Sequence, residues 1–325
     1  MLNVLSLFSG IGAFEKALDN LGIKYNLLGY CEIDKYASKA YSLIHKVPES
    51  MNYNDVTKID ELDFFDEEID LITYGFPCQD ISLAGKQKGF TDEDGNTTRS
   101  GLFFEALRII EDYRPKYAIA ENVKNLTSKK FSKEFSIVLE SLEQAGYKNY
   151  WKVLNAKNYG IPQNRERVFI VSIRKDLNQD FTFPEEIPLT LRLKDLLEDT
   201  VDSKYYLSQV TIESYIKHRE RQEAKGNGFG FEPRERERAE IAHTITTRAG
   251  SRNTDNFIVE NIPSSGLQNF NYEEDPMDTN KIMKVGELSS SQDEVVVDER
   301  GLSPTHTAGH GNCPKVLTGG GLHGD

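Results

Sequence analysis

The run Leu2-Asn3-Val4-Leu5-Ser6-Leu7-Phe8-Ser9-Gly10-Ile11-Gly12 decides how the chain is read. A short apolar stretch bounded by glycine reads as a buried strand. Glycine after it lets the backbone turn sharply and approach a ligand closely. Residues 13–21 then place apolar side chains at helical spacing, and Gly22 stops them. The same unit recurs outward from this start. Residues 25–31 predict a strand and 34–45 a helix; residues 69–74 predict a strand that ends in Gly75-Phe76-Pro77-Cys78-Gln79. Residues 101–113 read as a helix with Pro115 just beyond it, 117–120 as a strand, 133–145 as a helix, and 150–154 and 168–173 as strands. Strands separated by helices predict an α/β fold with a mostly parallel sheet covered on both faces. Ligands of such sheets bind at the carboxyl ends of the strands.

The bulk composition suits a globular enzyme: 325 residues, 38% hydrophobic and 28% charged. No apolar run approaches a membrane span, and the first residues lack the pattern of a signal peptide. No membrane partner is expected, and the cytoplasm is the expected compartment. Cys31, Cys78 and Cys313 are too few for a disulfide framework, so a free reactive thiol is chemically open. The formal charge of -13 counts weakly against nucleic acid, because the distribution of charge matters more than its sum. Near Phe183-Pro184 the chain becomes more polar and irregular, with only residues 191–197 and 207–223 clearly helical. Two domains are therefore expected, residues 1–184 and 185–325.

Gly10 and Gly12 fall between the first strand and first helix, and Glu32 falls at the end of the second strand. A carboxylate there can bind the two hydroxyls of a ribose. Asp55, after a third short apolar segment, is placed to accept from an adenine amino group. The glycine fingerprint is incomplete, and nicotinamide enzymes share this geometry with methyl-donor enzymes. A tight turn with two solvated acids would look the same.

Cys78 directly follows a strand and a stiffening proline. Among Gly and Lys residues its thiolate can be favoured, although a lone Cys is more often a small buried side chain. Glu121-Asn122-Val123 ends the strand at 117–120, so the Glu121 carboxylate should project at the same rim. Arg165 and Arg167, two apart in an extended segment, should point to one side. Taken singly, these are a surface acid and a solvated charge pair.

Together the segments Phe8-Ser9-Gly10-Ile11-Gly12, Pro77-Cys78-Gln79, Glu121-Asn122-Val123 and Gln163-x-Arg165-x-Arg167 resemble the DNA cytosine-5 methyltransferase family in order and spacing. Lys86-Gln87-Lys88-Gly89-Phe90 and Gly101-Leu102-Phe103-Phe104 extend the resemblance, which covers roughly residues 1–175. Each motif is weak alone; their ordered conjunction is specific. The resemblance implies a Rossmann-like S-adenosylmethionine-dependent methyltransferase sheet, followed by a smaller, irregular target-recognition domain. It implies catalytic roles for Cys78, Glu121, Arg165 and Arg167. The cofactor would be S-adenosylmethionine, lined by Phe8, Gly10, Gly12, Glu32, Ile33, Asp55, Val56, Pro77 and Leu102. Gln79, Ser82 and Arg99 would face double-stranded DNA. In the second domain, Arg234, Arg248 and Arg252 are candidates for groove or phosphate contacts, with solvated surface as the plainer reading.

The family usually continues with a segment that closes the cofactor pocket, and the sequence shows no counterpart. The expectation is a truncated chain, or a second polypeptide supplying the piece, with weak cofactor binding and slow methylation by the chain alone. His306, His310 and Cys313 have a spacing that could hold zinc, but a closed site needs a fourth ligand; no metal is expected. Three rival functions remain open from the sequence: an RNA-modifying relative, an inactive DNA-binding subunit, and a nicotinamide-dependent oxidoreductase.

Overall fold

The computed structural model describes residues 1–59, 68–77, 102–199, 201, 205–227, 230–246 and 252–261, with short strands at 280–285, 295–298 and 314–317. The chain forms two compact units. One contains Met1–Asn155 and Glu166–Glu186; the other contains Ala156–Arg165 and Ile187–Asp325. The sequence reading had one crossing near residue 185. The structure adds an earlier excursion, because residues 156–165 leave the first unit and return to it.

In the first unit, β1 (Leu2–Leu7), α1 (Ala13–Asn20), β2 (Tyr25–Cys31), α2 (Lys35–His45), β3 (Leu71–Tyr74), α3 (Phe103–Tyr113), β4 (Tyr117–Val123), α4 (Ser132–Gln144) and β5 (Tyr147–Asn155) follow in order. The excursion carries the two-residue β6 (Gln163–Asn164), and β7 (Glu166–Arg174) returns to the sheet. The sheet order is β2-β1-β3-β4-β7-β5. β2, β1, β3 and β4 run parallel, whereas β7 is antiparallel to both β4 and β5. The order reverses between β1 and β3, which makes that crevice the expected ligand site.

Local chemistry explains the elements. Val4, Leu5 and Leu7 of β1 and Ile72 and Tyr74 of β3 are buried, as strands covered on both faces require. The Asp34 carboxylate caps α2 by accepting from the Tyr36 and Ala37 N–H groups, each at 2.9 Å. α3 stops at Arg114, which adopts a left-handed φ of 46°, immediately before Pro115. Phe76 and Phe103 pack with ring centroids 5.4 Å apart, within a core that also gathers Tyr74, Ile109, Val138 and Ile170. Between β5 and β7 the chain has no α-helix, only the 156–165 excursion, and β7 returns antiparallel to β5.

The second unit contains α5 (Gln209–Glu223), β8 (Arg234–Glu235), β9 (Ala242–His243), β10 (Asn256–Asn261), β11 (Asn280–Val285), β12 (Val295–Asp298) and β13 (Pro314–Leu317). Its described core is divided into small clusters: Leu193, Ala239, Ala242 and Ile258 form one, and Leu207, Phe231 and Phe257 another. Ser208 caps α5 through the Thr211 N–H. The helix expected at residues 191–197 is only a short 3-10 turn, Leu193–Leu196. Asp195 accepts the Arg192 N–H at 2.7 Å and closes that turn after one loop of chain. β6 pairs with β9, Gln163 against Ala242 and Asn164 against His243. Thr244 adds a hydroxyl bond to the Asn164 carbonyl at 2.8 Å. Among the described residues, no helix is long and apolar enough to cross a membrane.

Candidate active site

The carboxyl end of β1 is a strained, glycine-punctuated turn. Phe8 has φ 52°, Gly10 57° and Gly12 83°. A left-handed Phe is uncommon and is retained only where surrounding contacts fix it; Ser9 provides two of these, bonding the Cys31 carbonyl through its N–H at 3.0 Å and its hydroxyl at 3.1 Å. The two glycines do different things. A Cβ at Gly12 would lie 2.1 Å from His45 Nε2 and 2.8 Å from Tyr41 Cε2. A Cβ at Gly10 would meet nothing within 4 Å. Gly12 therefore lets the turn sit on α2, and Gly10 opens toward the space beyond the rim.

Glu32 lies beside that opening. Its Oε2 accepts the Gly10 N–H and its Oε1 the Asp34 N–H, each at 2.8 Å. Burial pushes its pKa up, while these backbone bonds pull it back. A carboxylate offers about four acceptor sites, more than these backbone bonds occupy, which leaves room for a ligand hydroxyl. Ile33, next in sequence, is 68% exposed, an apolar surface at the same lip. Asp55 uses Oδ1 to hold Thr57, bonding its N–H at 3.1 Å and its hydroxyl at 2.8 Å. Val56 belongs to the core at 4% exposure, and its carbonyl accepts from Arg108 at 3.4 Å. Leu102 is half-buried against the core at the start of α3.

Beneath the turn lies a polar cluster that the sequence reading missed. Glu15 is 1% exposed. Ser6, Tyr41 and His45 surround it, yet neither of its oxygens forms a well-placed hydrogen bond among the described residues. Burial pushes its pKa up, against smaller opposing effects from Ser6, its own backbone N–H, His45 and Tyr41. His45 Nε2–H donates to the Ile11 carbonyl at 3.0 Å, and the acceptor fixes that tautomer.

Across the crevice, β3, β4 and β7 bring the other functional side chains together. Arg167 Nε donates to Glu121 Oε1 at 2.9 Å, with side chains 13% and 26% exposed. Register explains the pairing. Glu121 lies opposite Phe169 and Arg167 opposite Val123; residues 167 and 169 share a face, so Arg167 is the diagonal neighbour of Glu121. Arg165 falls between β6 and β7. Its N–H bonds the Gln163 carbonyl at 3.0 Å in a tight turn, it precedes β7, and it belongs to the second unit. The extended segment expected to orient both arginines alike is thus broken at Arg165.

Gly75 leads toward Pro77. A Cβ there would lie 3.9 Å from Glu121 Oε2 and 3.9 Å from the Phe8 carbonyl, so the ends of β1, β3 and β4 converge. Asn122, 3% exposed, points to the other face of β4 and donates to the Phe76 carbonyl at 3.1 Å. It ties the approach to Pro77 onto β4. In the sequence it is marked only as the middle of Glu121-Asn122-Val123. Cys78, Gln79, Ser82 and Arg99 lie outside the described residues, as do Arg248 and the His306, His310, Cys313 trio. Arg234, a candidate for DNA contact, is engaged internally: it donates to the Ile241 carbonyl at 2.7 Å and to His243 Nε2 at 2.8 Å. Burial first, and Arg234 second, push the His243 pKa down. No cluster of His, Cys, Asp and Glu among the described residues could hold a metal ion.

The C-5 cytosine-specific DNA methylase profile matches residues 2–309. The chain is 40% identical over 245 residues to the orphan methyltransferase M.SPRI of Bacillus phage SPR, covering 66% of this chain and 54% of that protein. It is 40% identical over 232 residues to the type II methyltransferase M.HpaII of Haemophilus parainfluenzae, covering 70% and 62%. The chain thus spans little more than half the length of these relatives. Among solved structures, the S. pombe Dnmt2 methyltransferase matches with a TM-score of 0.62 at 20% identity, over 81% of this chain and 78% of that one, which establishes the shared fold. The chain belongs to the C-5 cytosine-specific DNA methylase family.

Proposed function

We propose that this protein transfers a methyl group from S-adenosylmethionine to C5 of cytosine in a specific duplex DNA sequence, through a covalent bond between Cys78 and cytosine C6. The observation that carries this reading is the 2.9 Å Glu121–Arg167 pair, set beside Gly75 on the strand that leads to Cys78. A thiolate, an acid and a cation at one rim are what the reaction needs. C5 of cytosine is a poor nucleophile. Addition of the Cys78 thiolate to C6 converts the ring into an enamine-like species with nucleophilic C5, which splits one difficult step into easier ones. Glu121 holds or protonates N3, so negative charge does not accumulate on the ring. Arg167, already paired with Glu121, orients that carboxylate, and Arg165 or Arg167 holds O2. After methylation, loss of the C5 proton and expulsion of the Cys78 thiolate restore the aromatic ring.

The residues at the β1 and β2 ends fit the cofactor. Glu32 retains acceptor sites for ribose hydroxyls, Gly10 leaves open space, and exposed Ile33 offers an apolar surface to a base. When bound, S-adenosylmethionine supplies the electrophilic methyl group. Phe8, Asp55, Val56, Pro77 and Leu102 complete the proposed lining. Gln79, Ser82 and Arg99 are proposed to face the DNA strand, and the second unit to read the target sequence. A stacked base is out of reach, so the cytosine must be flipped out, at a cost of about a few kcal/mol recovered in the pocket. We place the protein in the cytoplasm of a bacterial or phage-infected cell. A second polypeptide finds no support in the comparisons and forms no part of the proposal.

The test is product identity. The protein is incubated with methyl-labelled S-adenosylmethionine and either duplex DNA or transfer RNA, and the nucleosides are separated. Label in 5-methyl-deoxycytidine from DNA is expected. Label confined to RNA, or on another atom, would overturn the proposal.

A further inference from the structure

The structure assigns Asn52 as the residue that positions Glu32 for ribose recognition, an inference that rests on the cofactor reading above. The side-chain amide of Asn52 closes a two-bond ring on the Glu32 backbone: Oδ1 accepts the Glu32 N–H at 3.0 Å and Nδ2 donates to the Glu32 carbonyl at 2.9 Å. Oδ1 also accepts the Asn54 N–H at 2.8 Å, and Nδ2 also donates to Ser38 Oγ at 2.8 Å. The amide therefore uses both acceptor sites and both donors. Ser38 is itself held by the Tyr30 hydroxyl at 3.1 Å.

This clasp stands where a strand neighbour would stand. Tyr30 and Asn52 form an isolated parallel bridge, and the Tyr53 N–H bonds the Tyr30 carbonyl at 2.8 Å. The main chain thus pairs alongside the end of β2, and one step further the Asn52 side chain takes over where backbone pairing stops. Glu32 then has its backbone fixed by Asn52 and its carboxylate fixed by Gly10 and Asp34. Its free acceptor sites are aimed only while both constraints hold. No other side chain of this size can replace the amide. Aspartate keeps the bonds to the Glu32 and Asn54 N–H groups but sets an oxygen against the Glu32 carbonyl, and alanine leaves the N–H and carbonyl of a largely buried residue unpaired.

The experiment measures binding by calorimetry, with S-adenosylhomocysteine and its 2′-deoxy analogue as probes. The full chain is compared with Asn52→Ala and with the size-matched Asn52→Asp, each checked by thermal melting. The wild-type chain should prefer the 2′-hydroxyl compound by on the order of tenfold, the usual worth of a hydrogen bond to a charged group. Both variants should lose that preference, to about twofold or less, while their affinity for the deoxy probe falls much less. A merely structural role would weaken both probes alike and keep the ratio, and that result overturns the inference. A wild-type chain that binds neither probe, or both equally, overturns the Glu32–ribose reading itself and the inference with it.

Discussion

The carboxyl ends of β2 and β4 each hold a carboxylate, and the partners of the two differ in kind. Glu32 is fixed by main-chain N–H groups of Gly10 and Asp34. Glu121 is fixed by a side chain, the Arg167 guanidinium. Backbone donors cannot be withdrawn without unfolding the turn, so Glu32 is built to present constant acceptors to neutral hydroxyls. A side-chain pair can rearrange as charge moves, which suits the role proposed for Glu121 beside a reacting base. In the proposed function, binding falls to the backbone-held carboxylate and chemistry to the side-chain-held one.

The largest expected effect breaks the side-chain-held carboxylate alone. Glu121→Gln keeps the shape and removes the titratable proton; the rate of methylation should fall by roughly 100- to 10,000-fold, with S-adenosylmethionine affinity unchanged in an equilibrium titration. Next come the two glycines of the turn after β1. Gly12→Ala puts a methyl group against His45 and Tyr41 at a left-handed position, and chemical denaturation should show a loss of about 3 kcal/mol. Gly10→Ala meets no protein atom, so only the left-handed cost of about 1–2 kcal/mol applies. Cofactor binding should nevertheless weaken by more than about tenfold, because the methyl group enters the proposed ligand space.

The smallest effect concerns Glu15. Its pKa is raised in the fold, chiefly by burial. A raised carboxyl pKa contributes stability that is fully present below the unfolded value and is lost as pH rises through the folded one. Glu15→Gln should therefore melt higher than wild type at pH 8, and the difference should shrink on acidification toward pH 4. An equal difference at both pH values would mean that Glu15 is ionised in the fold without penalty.

The parallel half of the sheet was legible because each strand and helix is marked by its own periodicity and by Gly or Pro punctuation, as at Gly22 and Pro115. Glu32, Glu121 and the glycine turn followed from lying at strand ends. The antiparallel return was harder, since only the lack of a helical pattern between residues 154 and 168 announced it. The transfer of residues 156–165 to the second unit was not legible at all. It depends on β6 and β9, two residues each, and a strand of two has no period. For the same reason the break between β6 and β7 at Arg165 left no mark in the sequence. Arg234 looked like a surface cation because its acceptors, Ile241 and His243, lie seven and nine residues away in a segment without regular pattern. Asn52 sat among turn-forming residues, Asn52-Tyr53-Asn54-Asp55, where its tertiary bonds to Glu32 left no trace.

Covalent capture tests the central claim most directly. A duplex carrying 5-fluorocytosine at the methylated site is incubated with the protein and S-adenosylmethionine, and the adduct is digested and mapped by mass spectrometry. Fluorine at C5 cannot leave as a proton, so the intermediate should persist as a DNA adduct on the peptide containing Cys78. Methylation of ordinary duplex without any adduct, or an adduct on another residue, would contradict the account.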